Sequence, residues 1–213
     1  MKAIIIPIKT NNLRLPGKNT MMLSGKPLYQ YLFETVSRAR DFTVFIDSSD
    51  SNILKIAEQY GFKTIKRKAT LNGPDTSGND LIENALREVS CDIIGQFFVT
   101  TPFLKLETIK TAFKKIEEEN VDACFGLYPV YDRFWQDNKP VNHNFKSLVG
   151  TQFMKPLMRE AGFYVFRRSS FMKEKSRICE KYTTFEVDST ECVDIDTLED
   201  FALAEALVEK GLV

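Results

Sequence analysis

The feature that most constrains the fold is a regular alternation of strand-like and helix-like segments through residues 1–130. Residues 2–7 form a short isoleucine-rich run, which is typical of a buried parallel strand. Residues 28–40 then show apolar side chains at helical spacing, and residues 42–47 are strand-like again. Because parallel strands are joined by crossover helices that pack on the sheet, this order predicts an α/β fold with a mostly parallel, twisted sheet flanked by helices.

The same patterns continue along the chain. We predict further helices at 52–60, 81–89, 107–119 and 197–209, and further strands at 62–66, 93–99, 123–130 and 160–167. Residues 131–156 show no clear period. A length of 213 residues suits one domain, so we expect a single domain over 1–213 with a projecting arm at about 131–156.

The arm is rich in aromatic side chains, namely Tyr131, Phe134, Trp135 and Phe153. Aromatic side chains bury a large area with few rotatable bonds, which favours an interface with a second copy of the chain. The alternative is a loop that folds back on its own core. We expect a small dimerisation segment, and therefore a homodimer.

Composition excludes several classes of protein. Twenty-nine basic and 29 acidic side chains give a net charge of zero, which argues against a general nucleic-acid binder. No apolar run approaches the roughly 20 residues of a membrane-spanning helix, and no signal-peptide pattern opens the chain, so we expect a cytoplasmic protein without a membrane segment. The four cysteines are widely spaced and His143 is the one histidine. We expect reduced, buried thiols, no zinc site and no serine or cysteine hydrolase.

The loop after the first strand, residues 9–19, carries three cations. Lys9, Arg14 and Lys18 lie within ten residues, in an irregular segment that Pro16 and Gly17 restrict. Such a loop can direct ammonium, guanidinium and backbone N–H groups towards one polyanion, although a solvated basic loop has the same composition. The loop matches neither the Walker pattern nor the Rossmann glycine pattern. Phosphate binding is therefore predicted here, without an ATPase or dehydrogenase signature.

Two carboxylates, Asp194 and Asp196, stand two residues apart near the end of the chain. In an extended segment such residues face the same side, so both can meet one hard cation such as Mg²⁺. The alternative is that Asp196 caps the helix predicted at 197–209 while Asp194 lies on the surface. Both roles are compatible, because a carboxylate has two oxygens.

Other polar residues lie where predicted strands end. Gln96 places an amide inside an apolar run, and a buried amide needs partners, either in a substrate or in the backbone. Thr100 and Thr101 follow directly. Residues 159–164 form the charged start of the strand predicted at 160–167, and a structural role is favoured for them. The basic run 66–68 is typical of a solvated surface.

Taken in order, these segments resemble the acylneuraminate (CMP-sialic acid) and related CMP-sugar cytidylyltransferases. The specific part is the opening strand followed by Leu-Pro-Gly-Lys-Asn at 15–19 and Gly-Lys-Pro-Leu at 25–28. The segments 47–50, 96–104, 159–164 and 194–197, together with Arg67, recur in the family's order. The resemblance spans nearly the whole chain and implies a Rossmann-like nucleotidyltransferase fold.

The resemblance also implies an activity. The enzyme would be a nucleotidyltransferase that moves CMP from CTP to the anomeric hydroxyl of a sialic acid-like 2-keto-3-deoxy sugar acid, with Mg²⁺ as cofactor and release of pyrophosphate. The family tends to dimerise through such an arm. The implied residues are Lys18, Arg14 and Lys9 for catalysis on the triphosphate; Pro7, Ile8, Lys9, Arg14, Lys18, Asn19 and Arg67 for nucleotide binding; Gln96, Thr101, Arg159 and Tyr164 for the sugar; and Asp194 and Asp196 for the metal.

The sequence departs from the family at three places, one of which is Thr-Thr-Pro at 100–102, where the family usually has Thr-Ser-Pro. Lys9 stands where the family usually has Arg, which replaces a planar bidentate donor with a point charge. Ala161 stands where an Asn is expected, which points away from N-acetylneuraminate itself. Two alternatives therefore stay open: a nucleotidyltransferase for another sugar or sugar phosphate, of the CMP-Kdo kind, and a catalytically weakened nucleotide-binding homologue.

Overall fold

The computed structural model describes residues 1–9 and 12–213 of the chain. Within them the helices are α1 Leu28–Ser37, α2 Ser51–Gln59, α3 Gly78–Ala85, α4 Leu106–Glu118, α5 Arg168–Glu174 and α6 Leu198–Glu209. The strands are β1 Lys2–Ile8, β2 Met22–Leu23, β3 Lys26–Pro27, β4 Thr43–Ser48, β5 Lys63–Lys66, β6 Ile93–Gln96, β7 Ala123–Val130, β8 Trp135–Gln136, β9 Lys139–Pro140, β10 Leu157–Glu160, β11 Tyr164–Arg167 and β12 Tyr182–Glu186.

One central sheet organises these elements. Its order is β10-β7-β11-β6-β1-β4-β5, and β12 pairs with β7. The β6, β1, β4 and β5 neighbours are parallel, as are β12 and β7, whereas β10 and β11 run antiparallel to β7. The predicted α/β fold with a mostly parallel sheet is confirmed.

Both faces of the sheet are covered. Ile4, Ile6 and Ile8 of β1 belong to one apolar cluster that includes residues of α1, α2 and α4. Ala3 and Ile5 of the same strand belong to a second cluster, with residues of α3 and α5. Alternate side chains of a strand point to opposite faces, so an almost entirely apolar β1 requires helices on both sides.

The structure corrects the prediction of one strand at 160–167. The chain forms β10 and β11 instead, both paired with β7, and breaks between them at Gly162. Gly162 has φ 72°, a left-handed conformation that interrupts an extended strand and suits glycine. Strand β6 also ends earlier than predicted, at Gln96, because Thr101 turns the chain by donating from its backbone N–H and its Oγ1 to the carbonyl of Phe98. Neither α5 nor β12 was predicted.

A third apolar cluster joins the two ends of the chain. It contains Leu15, Leu23 and Leu28 from the first loop and the start of α1, together with Ile195, Phe201 and Ala204 from the last segment. Burial of these side chains fixes the basic loop against the segment that carries the two aspartates. The position of the candidate site follows from this contact.

The arm predicted at 131–156 contains the short β8–β9 pair and exposes several large apolar side chains. Trp135 and Phe153 are 56% and 79% exposed, and Tyr131, Val141, Phe145, Leu148 and Val149 are exposed as well. The sole histidine, His143, contacts the edge of the Trp135 ring. The single-domain organisation and the dimerisation role of this arm stay predictions.

Two expectations from composition have structural counterparts. All four cysteines are free and buried, as predicted, and burial raises the pKa of Cys124 and Cys179 to about 12. Thiols with so high a pKa carry almost no thiolate at neutral pH, which makes them poor nucleophiles. None of the described helices is long and apolar enough to cross a membrane.

Candidate active site

The candidate site lies at the carboxyl edge of the parallel strands. Strands β1, β4 and β6 are neighbours, and they end at Ile8, Ser48 and Gln96 on this edge. Open α/β sheets bind ligands in crevices at this edge. A cleft of about 370 Å³ opens here, lined by Lys9, Asn12, Leu13, Arg14, Leu15, Lys18, Asn72, Gly73, Pro74 and Asp196.

Lys18 connects the first loop to the end of the chain. It follows Gly17, whose φ of 70° turns the loop into a short 3-10 turn over Lys18–Thr20. The Lys18 side chain is only 8% exposed, and its Nζ donates to the Asp196 carboxylate at 2.5 Å and to the Ile195 carbonyl at 2.7 Å. The basic loop and the acidic segment therefore meet in one cleft, although 177 and 178 residues separate the partners in these two contacts.

Asp196 is held between two cations. One carboxylate oxygen pairs with Lys18 and the other with Nη2 of Arg14, at 2.6 Å. The Arg14 side chain is 69% exposed, so its guanidinium can turn from Asp196 towards an incoming anion at little cost. The alternative in which Asp196 caps α6 is wrong, because Thr197 is the capping residue and forms a reciprocal capping box with Asp200.

Asp194 is a buried carboxylate at this edge of the sheet. One carboxylate oxygen, Oδ1, is buried and has no hydrogen-bond partner among the described residues. Burial raises the pKa of Asp194, the neighbouring Asp196 raises it further, and a hydrogen bond from Thr100 opposes the shift. A buried unpartnered carboxylate oxygen suits a hard divalent cation. Asp194 also lines a neighbouring cavity of about 330 Å³, whereas Asp196 lines the first cleft.

Lys9, which follows β1, forms hydrogen bonds with the loop before α3. Its Nζ donates to the carbonyls of Gly73 at 3.4 Å and of Thr76 at 3.2 Å. Burial lowers the pKa of Lys9, and the positive charge of Arg67 lowers it further. Lys9 lines the cleft, so an anion bound there would be close to this ammonium group.

Arg67 lies deeper than its sequence context indicates. The basic run 66–68 predicted a solvated surface, but the Arg67 side chain is fully buried against Asp47. Its Nη2 pairs with the Asp47 carboxylate at 3.0 Å and also donates to the Asp47 carbonyl at 2.7 Å, while Nη1 is buried without a partner among the described residues. Burial raises the pKa of Asp47, and the hydrogen bond and charge of Arg67 oppose this shift.

We predict that Arg67→Met lowers the free energy of unfolding by about 3 kcal/mol at pH 7, because it leaves Asp47 buried and unpaired. The folded-state pKa of Asp47 would then rise further above its unfolded value. The folded variant therefore binds a proton that the unfolded chain has already lost, and its stability falls as pH rises. Urea unfolding at pH 7 and at pH 5 should show a smaller deficit at the acidic pH.

The neighbouring Lys66→Met is the control, since Lys66 is exposed and its ammonium donates to Ser49 and Ser51 on the surface. Its effect should stay within about 0.5 kcal/mol. If Arg67→Met lowers the free energy of unfolding by an equally small amount, or by more at pH 5 than at pH 7, then Arg67 does not stabilise the fold by neutralising Asp47.

Two of the other residues predicted for the nucleotide, Pro7 and Asn19, line a second cavity of about 200 Å³. This cavity shares Lys9, Asn12 and Lys18 with the first. Asn19 donates from Nδ2 to the Lys9 carbonyl at 2.6 Å, and its Oδ1 has no partner among the described residues. The Ile8 side chain is fully buried in the core, so only its main chain is available to a ligand.

The four residues predicted for the sugar fall into two groups. Gln96 and Tyr164 face each other across the β6–β11 pair. Thr101, which is buried, lies against Gly162, and Arg159 donates from Nη2 to the Cys192 carbonyl at 3.1 Å beside the Asp194 cavity. The roles of all four stay predictions.

Sequence reasoning singled out the segment 47–50 but not the pairing of Asp47 with Arg67, and it missed Arg177. Asp47 is fully buried in β4, and Arg177, beyond α5, donates to Gln96. The Asp47–Arg67 pair had a signal, because Arg67 follows β5, the strand that pairs with β4. Arg177 had none, since no pattern in the sequence brings residues 81 positions apart together.

Comparisons with known proteins identify the family of the chain. Residues 3–211 match the family model described as cytidylyltransferase. Pseudaminic acid cytidylyltransferase of Campylobacter jejuni is 26% identical over 95% of this chain and 94% of its own length, and CMP-N,N′-diacetyllegionaminic acid synthase of Legionella pneumophila is 29% identical over 96% and 95%.

Two solved structures share the fold. A CMP:2-keto-3-deoxy-manno-octonic acid synthetase complexed with CTP has a TM-score of 0.75 at 17% identity and covers 99% of both chains. The 4-diphosphocytidyl-2C-methyl-D-erythritol synthase of Anaerococcus prevotii has a TM-score of 0.72 at 14% identity and covers 98% of this chain and 96% of its own. The predicted nucleotidyltransferase fold is confirmed. The chain belongs to the cytidylyltransferase family and is a nucleotidyltransferase of the CMP-sugar type.

Proposed function

We propose that the protein transfers CMP from CTP to the anomeric hydroxyl of a sialic acid-like 2-keto-3-deoxy sugar acid. The sugar oxygen attacks the α-phosphorus in line, a new P–O bond forms, and the bond from the α-phosphorus to its bridging oxygen breaks. Pyrophosphate leaves and the hydroxyl proton passes to solvent or to a base that we leave unassigned. Catalysis in such a transfer is mainly positioning and neutralisation of charge.

The observation that carries the proposal is the junction of Lys18 with Ile195 and Asp196. This contact supports a site in which cations from the first loop and carboxylates from the last segment lie around one triphosphate. Without a ligand, Lys18 and Arg14 neutralise Asp196. A bound triphosphate would compete for both cations and free the Asp196 carboxylate for a metal ion.

Mg²⁺ is part of the proposal. Asp194 and Asp196 would hold it, and the buried unpartnered Oδ1 of Asp194 supports this assignment. When bound, the ion would neutralise charge on phosphate oxygens. The described residues contain no cluster of three or more His, Cys, Asp or Glu side chains with metal-binding geometry, so phosphate oxygens and water would complete the coordination.

The relatives support a sialic acid-like acceptor. Their names specify pseudaminic acid, N,N′-diacetyllegionaminic acid and N-acylneuraminate, although relatives named for 3-deoxy-manno-octulosonate match as well. Ala161, in place of the expected Asn, supports an acceptor other than N-acetylneuraminate. The cytoplasmic location stays a prediction.

The direct test is pyrophosphate release from CTP, UTP and GTP with a panel of keto-sugar acids and sugar phosphates, with Mg²⁺ and with EDTA. We expect release from CTP with a sialic acid-like acceptor, and loss of release in EDTA. Turnover of a sugar phosphate, or preference for UTP or GTP, would favour the other nucleotidyltransferase. CTP binding without release from any acceptor would favour the weakened homologue.

We also propose a homodimer formed through the arm. Replacing Trp135 and Phe153 together with Ser should convert a dimer into a monomer, because both expose large apolar surfaces on the arm. The mass in solution, from light scattering, measures this. Met172→Ser, at an exposed apolar side chain on α5, should leave the dimer intact. A monomeric mass for the unaltered protein would reject the proposal.

A further inference from the structure

Arg177 lies beside Gln96 and Tyr164, two of the four residues predicted for the sugar. Its guanidinium carbon lies 4.4 Å from the centre of the Tyr164 ring, at cation–π distance. Its Nη1 donates to Oε1 of Gln96 at 2.8 Å, and its Nε donates to Oδ1 of Asn79 at 2.9 Å. A guanidinium held on three sides has one preferred orientation.

This arrangement also fixes the Gln96 amide. The amide oxygen accepts from Arg177, and Nε2 donates to the Gly78 carbonyl at 3.2 Å. Gly78 leaves space for the guanidinium, because a Cβ there would lie 2.4 Å from Nη1 of Arg177. One N–H of Nε2 remains free to donate to a ligand. Its direction depends on Arg177, because the hydrogen bond to Oε1 fixes the plane of the amide.

The guanidinium lacks an anionic partner among the described residues. No described carboxylate lies within ion-pair distance of it, and the neighbouring Glu160 accepts a hydrogen bond from the Tyr164 hydroxyl. Nη2 donates to no described group, and the residue as a whole is half-buried. Burial lowers the pKa of Arg177, while Tyr164 and Glu160 raise it. A partly buried cation in this state favours a ligand that brings an acceptor oxygen.

We infer that Arg177 is a specificity-determining residue for the acceptor, and that its Nη2 donates to an oxygen of the sugar acid. That oxygen belongs either to the carboxylate or to an acylamino carbonyl, since both accept from a guanidinium. The inference rests on the proposed function. It places the acceptor at the carboxyl edge of β6, beside Gln96, where open sheets bind ligands.

The test separates the acceptor from the nucleotide. Arg177→Met keeps much of the apolar stem and removes the donors. We expect it to raise KM for the sugar acid about 10- to 100-fold, as loss of a hydrogen bond to a charged group does, with KM for CTP unchanged. Arg177→Lys should recover little of this, because an ammonium group lacks the planar fork.

Two analogues identify the oxygen. The methyl ester of the acid removes the carboxylate charge, and the free amine removes the acyl carbonyl. If Arg177 reads the carboxylate, the unaltered enzyme and Arg177→Met should use the ester equally well; if it reads the carbonyl, they should use the amine equally well. An effect of the same size on the acid and both analogues would overturn the inference, as would an equal rise in KM for CTP.

Arg168→Met is the matched control. Arg168 is likewise held by hydrogen bonds, in its case to the backbone carbonyls of Leu86 and Val89, but it follows the end of β11 that is opposite to Tyr164. It should leave both KM values unchanged. If the unaltered protein releases no pyrophosphate, the proposed function fails. Calorimetry on the unaltered protein and on Arg177→Met then tests separately whether Arg177 binds the sugar acid. Equal affinity, or absent binding, in the unaltered protein and Arg177→Met would overturn the inference.

Discussion

Lys18→Met is expected to lower kcat/KM for CMP transfer about a thousandfold, the size of effect that follows removal of one charge-stabilising donor in a desolvated site. Lys18 is nearly buried and approaches the cleft from beside Asp196 and the Ile195 carbonyl. Its ammonium is pre-oriented before the triphosphate arrives, so solvent does not have to reorganise during the reaction. Steady-state release of pyrophosphate from CTP measures the effect.

The loss should come without unfolding, because Arg14 still pairs with Asp196 in the variant. Circular dichroism and the urea midpoint test this. Lys110→Met is the control, since Lys110 is a surface residue of α4 paired with Glu107, and it should keep full activity. Activity of Lys18→Met equal to that of Lys110→Met would remove Lys18 from the catalytic residues.

Replacement of both Asp194 and Asp196 with Asn is expected to abolish magnesium-dependent turnover, with a loss of about a thousandfold or more. The Asn side chains keep the size of the carboxylates but lose the charge that binds a hard cation. Magnesium should raise the melting temperature of the unaltered protein in the presence of CTP and should not raise that of the variant, which gives a readout that does not depend on activity.

The single variant Asp194→Asn carries a further expectation in the absence of metal. Burial raises the pKa of Asp194, so ionising this carboxyl in the folded protein opposes folding at neutral pH. The neutral amide removes that cost, and we expect metal-free Asp194→Asn to be at least as stable as the unaltered protein. The control is Asp188→Asn, because Asp188 is exposed on the same segment. Full magnesium-dependent activity in the double variant would reject the metal assignment.

Prediction from sequence succeeded where one residue's environment follows from its neighbours in the chain. The isoleucines of β1 indicate a strand buried on both faces, and the structure places helices on both faces. It was wrong at 160–167, because a single left-handed residue, Gly162, splits a segment whose apolar pattern is otherwise continuous. It was also wrong about Arg67, whose exposure depends on Asp47 in a neighbouring strand and not on the charges beside it.

The sequence by itself determined the α/β fold, the loop rich in cations and the family resemblance, since each depends on short local patterns and on their order along the chain. Only the tertiary structure decided that Lys18 meets Asp196, that Asp47 neutralises Arg67 and that Arg177 holds Gln96. The physical reason is that a charged side chain has no preferred partner along the chain. It takes the partner that burial brings within hydrogen-bond distance, and the packing of the core determines which partner that is.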